Sequence, residues 1–215
     1  MAEKGMIIVG AGPGISLGAA KKFGRNGYKI ALIARRKEAL LQYENELKSE
    51  GIAAKGFEGD ASSEESLKAA IQAAIRELGR VDVLLYNAAA GKPGKPTSLT
   101  AENLMNDFKI SVAGALTSVK EALPHLDGGA VLLTGGGLAI HPAADLASLS
   151  IGKAGIRSLS HTLHQELKEQ GIYVGTLIVK GFVQEDTYYS PDHIGEAFYK
   201  MAEDRNTHEL IFEEK

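Results

Sequence analysis

Met6-Ile7-Ile8-Val9-Gly10-Ala11-Gly12-Pro13-Gly14-Ile15-Ser16 sets an apolar run against a glycine-rich turn and then a helix opening. Four successive apolar residues bounded by glycine read as a buried strand, and residues 15–23 carry helical spacing. A strand that turns through glycines into a helix exposes bare backbone N–H groups at the positive end of a helix dipole, which suits a phosphate. The G-x-G-x-x-G spacing of a dinucleotide fingerprint would place glycine at 15, where this chain has Ile15. A looser pattern fits, with glycines at 10 and 14 followed by the small Ser16. Gly10, Gly12, Gly14 and the amide of Ile15 are therefore the expected phosphate-binding positions.

Outward from that turn, Tyr28-Lys29-Ile30-Ala31-Leu32-Ile33-Ala34 reads as a second buried strand, and it ends in Arg35-Arg36. A nucleotide fold that prefers NAD offers a carboxylate there to the ribose 2′-hydroxyl, whereas guanidiniums match the 2′-phosphate of NADP. Arg35 and Arg36 make NADP the expected cofactor, ahead of NAD.

The alternation continues down the chain. A helix is expected over about 37–49, a strand near 53–57, a turn at Gly59-Asp60, and a helix starting at Ser62 with Glu65 as its capping-box partner. Val81-Asp82-Val83-Leu84-Leu85 reads as a strand, 100–123 as a long helix, and 129–134 as a fifth strand. A helix over about 144–169, a strand over 173–179, a helix capped by Ser190 with Pro191 at its first position, and a strand around 209–212 complete the pattern. Continuous apolar strands alternating with helices predict an α/β fold: a three-layer, doubly wound parallel sheet of Rossmann type. Ligands in such a sheet lie at the carboxyl ends of the strands, where the strand order reverses.

A chain of 215 residues supports one such domain, here expected to be a single NAD(P)-binding unit over 1–215. A net charge of −3 leaves no electrostatic footprint for nucleic acid or an anionic membrane. Zero cysteines exclude disulfides and cysteine-built metal sites, and no metal site is expected. With neither a leader pattern nor a long apolar run in view, a cytoplasmic protein is expected.

The order of these signals resembles the short-chain dehydrogenase/reductase family over nearly the whole chain. The family's T-G-x-x-x-G-x-G is similar to Val9-Gly10-Ala11-Gly12-Pro13-Gly14-Ile15-Ser16, with the first and last positions changed. Its adenine-contacting Asp resembles Asp60, and its N-N-A-G is similar to Tyr86-Asn87-Ala88-Ala89. The family's Lys, which grips the nicotinamide ribose and lowers the pKa of a catalytic Tyr, falls on Lys153. The resemblance then breaks: the Tyr position is Leu149, the catalytic Ser position is Gly136 in Gly135-Gly136-Gly137, and the Asn that orders a relay water falls on Ser111. The family's Pro-Gly is similar to Lys180-Gly181, and the segment that closes over substrate shrinks to 182–189. The resemblance also implies a homo-oligomer, dimer or tetramer, joined along the helices near 104–123 and 144–169.

Leu149 cannot donate a proton. Losing a positioned general acid costs about 10²–10⁴ in rate, and losing one oxyanion donor about 10²–10³. Ketone reduction by the family's usual route is expected to be weak, while an acceptor that supplies its own acidity, such as an iminium or a quinone, stays within reach. Lys153, Ser111 and His141 are the candidate catalytic residues, His141 because an imidazole titrates close to neutral pH and lies in the loop that borders the cleft in the family. Tyr86, Tyr188 and Tyr189 stand on strand-end or lid segments and compete with it, although such tyrosines usually pack. Ser150 reads as structural, and His161 and His164 as surface or interface residues.

Two functions follow from this reading. The first is an NADP(H)-dependent oxidoreductase with a departed active site, acting on a small molecule. The alternative is a non-catalytic regulatory or sensor protein that binds NADP(H).

Overall fold

Seven strands, all parallel, form one sheet in the computed structural model, which describes residues 4–214. In chain order they are β1 (Lys4–Val9), β2 (Tyr28–Ala34), β3 (Ala54–Glu58), β4 (Val83–Tyr86), β5 (Ala130–Thr134), β6 (Tyr173–Val179) and β7 (Glu209–Phe212). They lie side by side as β3-β2-β1-β4-β5-β6-β7, so the winding direction reverses between β1 and β4. Successive side chains of a strand point to opposite faces, and β1 therefore serves two cores at once. Met6 and Ile8 join the layer beneath α1 (Ile15–Arg25), α2 (Lys37–Ser49) and α7 (Pro191–Asp204). Ile7 and Val9 join the layer beneath α3 (Glu64–Leu78), α5 (Gly114–Ala122) and α6 (Ala147–Leu167). All four are fully buried or within 1% of it, which explains why the run is continuously apolar rather than alternating. The expected single α/β domain is what forms.

Local departures from the sequence reading have identifiable causes. The third helix starts at Glu64 rather than at Ser62, with Ser63 as its cap, its Oγ accepting from the Ser66 amide at 3.3 Å. Ser62 is not free to cap, because its amide and hydroxyl both donate to Asp60 Oδ1 at 2.8 Å. The long helix over 100–123 is interrupted: α4 (Ala101–Phe108) gives way to one wide π-type turn over Lys109–Ala113 before α5 resumes. The sixth helix starts at Ala147, three residues later than the expected 144, because the Asp145 carbonyl accepts from the Gly94 amide at 2.8 Å and Leu146 pairs with Gly94 as an isolated parallel bridge. Ser190 caps α7 with Pro191 at the first position, as read.

His161 and His164 are not free surface side chains. His161 Nε2 lies 3.0 Å from Glu209 Oε2 and its Nδ1 lies 3.1 Å from His208 Nε2, while the His164 ring stacks on His208 at 4.6 Å. Together with the bidentate Arg157–Glu209 pair they fasten the edge strand β7 to α6. Among the described residues no helix is long and apolar enough to cross a membrane, and no group of His, Asp or Glu is arranged to hold a metal ion.

Candidate nucleotide cleft and active site

The glycine turn sits at the carboxyl end of β1, on the switch point. Gly10 has φ +85°, and a β-carbon there would run into the Ala88 backbone, so only glycine closes the turn without strain. The amides of Gly10 and Ala11 donate to the Ile33 carbonyl at 2.9 and 3.0 Å, which bends the chain back over β2. A β-carbon at Gly12 would meet nothing within 4 Å, so its backbone faces open space in front of the start of α1. Gly14 is the N-cap of α1 and makes no side-chain cap; the Leu17 amide donates to the Gly12 carbonyl at 3.3 Å, and among the described residues the amides of Ile15 and Ser16 are left to be met from outside.

A polar clamp holds the two sides of the switch point together. Asn87 follows β4, its amide donating to the Val9 carbonyl at 2.8 Å, and its Nδ2 donates to Ser16 Oγ at 2.8 Å. Ser16 is fully buried, and its own hydroxyl donates to the Gly10 carbonyl at 2.8 Å. Sequence spacing registers Ser16 only as a small residue. Its serine-for-glycine identity at a helix start that shows no side-chain cap is the signal for a partner elsewhere.

Beside the turn opens a cavity of about 310 Å³ lined by Gly10, Ala11, Arg35, Arg36, Asp60 and Ala90 among others. Arg35 and Arg36 are exposed at its mouth, and neither has a carboxylate within 4.0 Å among the described residues, whereas Arg25, Arg80 and Arg157 are each paired. Burial acts to raise the Asp60 carboxyl, but the two Ser62 hydrogen bonds and the nearby Arg35 charge outweigh it and hold the group below the ordinary carboxylate range. Asp60 is thus an anion at neutral pH, fixed in direction by Ser62.

Lys153 lies one carboxyl-terminal step along the sheet, at the end of β5. Its Nζ donates to the Thr134 carbonyl at 2.9 Å, and burial pushes the ammonium down to about 8. Gly136 lies against its stem, where a β-carbon would stand 3.3 Å from Lys153 Cε. Thr134 Oγ1 is buried and has no hydrogen-bond partner among the described residues. Leu149 sits one helical turn before Lys153, and its backbone packs on Gly91, whose φ of +154° lets the segment after β4 press against α6.

Ser111 is 2% exposed and lies in the π-type turn, where its Oγ accepts from the Ala90 amide at 3.0 Å and donates to the Ala90 carbonyl at 3.2 Å. It fastens the cleft wall to the helix. His141 is exposed, its amide donates to the Gly137 carbonyl, and its ring makes no hydrogen bond among the described residues. Tyr86 donates its hydroxyl to the Ile110 carbonyl, and burial pushes that phenol further up. Tyr188 stacks on Phe212 at 4.7 Å, and Tyr189 Oη accepts from the Glu214 amide at 3.1 Å, so both hold the lid. Ser150 accepts from the Ala143 amide and donates to the Leu146 carbonyl, the structural role read for it. Phe182, at the start of the lid, is 93% exposed, so the fold itself does not hold it. Of the cofactor candidates, Gly10, Arg35, Arg36 and Asp60 line the one cavity; Ser111 is bonded to Ala90 in its wall, Lys153 is bonded to Thr134 at the end of β5, and His141 is on an exposed loop.

The fold and cleft define a dinucleotide-binding oxidoreductase architecture, and the chain matches the short chain dehydrogenase family over residues 4–188. It belongs to that family. It is 29% identical over 168 residues to the peroxisomal 2,4-dienoyl-CoA reductase of Arabidopsis thaliana, a match covering 78% of this chain and 52% of that protein. With the (S)-acetoin-forming diacetyl reductase of Staphylococcus epidermidis it shares 28% identity over 176 residues, 80% of this chain and 68% of the reductase. The chain thus spans about half of the plant relative and two-thirds of the bacterial one. Among solved structures, a dehydrogenase/reductase from Sinorhizobium meliloti 1021 superposes with a TM-score of 0.90 at 20% identity, covering 99% of this chain and 94% of that one. An actinorhodin polyketide ketoreductase solved with NADPH superposes with a TM-score of 0.89 at 21% identity, covering 97% and 95%.

Proposed function

We propose that this chain is an NADP(H)-dependent oxidoreductase of a small molecule whose proton-handling residues depart from the family pattern. The observation that carries the reading is the pair of unpaired guanidiniums, Arg35 and Arg36, at the mouth of the cavity beside the glycine turn. Two cations without a protein anion fit the 2′-phosphate, the open Ile15 and Ser16 amides at the start of α1 fit the pyrophosphate, and Asp60 fits the adenine side. This reading assigns Lys153 and Asn87 to the nicotinamide ribose side. The bound coenzyme would supply a hydride.

Leu149 and Gly136 stand in this reading where the family carries its Tyr and Ser, so the substrate oxygen gains no hydroxyl donor from either. That favours acceptors less dependent on such a donor: an iminium, a quinone, or a polarised carbon–carbon double bond of the kind named in the plant relative. Self-association along α4, α5 and α6, where Met105, Leu116 and Ile151 are exposed, belongs to the same reading.

Fluorescence titration with NADPH and NADH tests it. A charge-assisted hydrogen bond is worth about 1.5–3 kcal/mol, so Arg35→Ala is expected to weaken NADPH about 10–100-fold and to leave NADH nearly unchanged. Equal effects on both coenzymes would remove the phosphate assignment. NADPH binding without oxidation across carbonyls, imines and quinones would favour the regulatory alternative.

A further inference from the structure

Around the cleft few side chains that could release a proton are both free and close: Tyr188 and Tyr189 are held in the lid against Phe212 and the Glu214 amide, and the unpartnered Thr134 hydroxyl is not among the side chains that serve as general acids. Tyr86 spends its hydroxyl on the Ile110 carbonyl, and Ser111 spends its own on Ala90. His141 lies outside on the exposed loop, and Lys180, across the glycine run, is paired with Glu213 at 2.7 Å. Lys153 is the exception. Its Nζ makes one hydrogen bond, to the Thr134 carbonyl, and no carboxylate lies within 4.0 Å among the described residues, so its other N–H bonds are uncommitted. Leu149 and Gly136 place nothing polar beside it: the first is aliphatic, and the second leaves the flank of the lysine stem without a side chain.

We propose that Lys153 is itself the proton donor of the reduction, rather than an accessory to a hydroxyl. This rests on the NADP(H) reading above. The acceptor carbon gains a hydride with its electron pair from the reduced coenzyme, and the adjacent heteroatom or carbon takes the resulting charge. One N–H bond of Lys153 breaks, its proton moves to that atom, and the nitrogen keeps the electron pair as a neutral amine. Solvent returns the proton. The surroundings suit the task, because burial without a carboxylate pushes the ammonium down to about 8, close enough to neutrality for the proton to be both present and releasable. Arginine at this position would keep the charge and lose the chemistry, since a guanidinium does not deprotonate in proteins.

Lysine labelled with ¹³C gives a readout that needs no turnover. The Cε resonance absent from Lys153→Met is expected to titrate near 8; titration of that resonance at the ordinary lysine value of about 10.5 overturns the proposal. Single-turnover oxidation of bound NADPH by diacetyl is expected to fall about tenfold per pH unit above about 8. In Lys153→Arg it is expected to fall by about 10²-fold or more, while NADPH affinity changes only a few-fold. A flat profile, an active arginine variant, or binding of NADPH with no oxidation by diacetyl or menadione in the wild type each overturns the proton-donor role. Failure of the wild type to bind NADPH is a separate result, which removes the coenzyme reading on which the role depends.

Discussion

Single side chains decide how much of the family chemistry this cleft can support, and two of them can be restored. Leu149 precedes Lys153 by one turn, the spacing at which a phenol would meet the ammonium and have its charged form favoured. A β-carbon at Gly136 would stand 3.3 Å from the flexible stem of Lys153, which has to give by a few tenths of an ångström to admit a serine. Leu149→Tyr combined with Gly136→Ser is therefore expected to raise diacetyl reduction by about 10²-fold or more, measured as steady-state NADPH oxidation. No gain would mean that the pocket also lacks access for a carbonyl. Gly12 gives a complementary case. A methyl group there meets nothing within 4 Å of the protein, so Gly12→Ala is expected to leave the urea midpoint in place and to weaken NADPH binding by crowding the pyrophosphate. At this scale the sequence was legible where residue type and a strand end place a charge, as at Arg35 and Asp60, which both line the cavity. It was silent where a backbone carbonyl, such as that of Thr134, is the partner.

Helices and strands were legible wherever periodicity sets them, and misread where a side chain or a distant segment takes over a terminus. Ser62 and Ser63 are equivalent as letters, and only the Asp60 carboxylate, which takes Ser62, leaves the cap to Ser63. The interruption at Lys109–Ala113 leaves the apolar pattern of 100–123 intact, so no periodicity argument detects it. The contact between α1 and α7 is a further example. A β-carbon at Gly18 would collide with the Pro191 carbonyl, and one at Gly195 with the Gly18 backbone, so the two helices cross with their main chains in contact. Glycine inside a helix normally weakens it by about 1 kcal/mol relative to alanine, and here the close crossing reverses the preference. Gly18→Ala is expected to destabilise the fold by about 1–3 kcal/mol, read as a lowered urea midpoint with an unchanged slope. A neutral or stabilising result would show that α7 shifts freely, which would also loosen the lid that leads into it.

For the molecule as a whole, Lys153 is a burden that the parallel sheet carries in exchange for its cleft, and the burden depends on pH. The ammonium is held at about 8 in the folded chain against 10.5 when free, so between those values the unfolded chain binds more protons than the folded one. Stability from this group therefore rises as pH increases from about 8 to 10.5, and below 8 the full burial penalty is present, about 3 kcal/mol. Lys153→Met removes the charge while filling similar space, and it leaves the Thr134 carbonyl without its donor, a loss of about 1 kcal/mol. The other titrating groups are common to both proteins and cancel in the difference. Urea unfolding is thus expected to show the methionine variant ahead of wild type at pH 7, with that lead shrinking or reversing by pH 10. A lead that stays constant across this range would mean that the amine is solvated in the folded state. It would then be an ordinary lysine near a helix start, and the cleft would contain no group positioned to give up a proton.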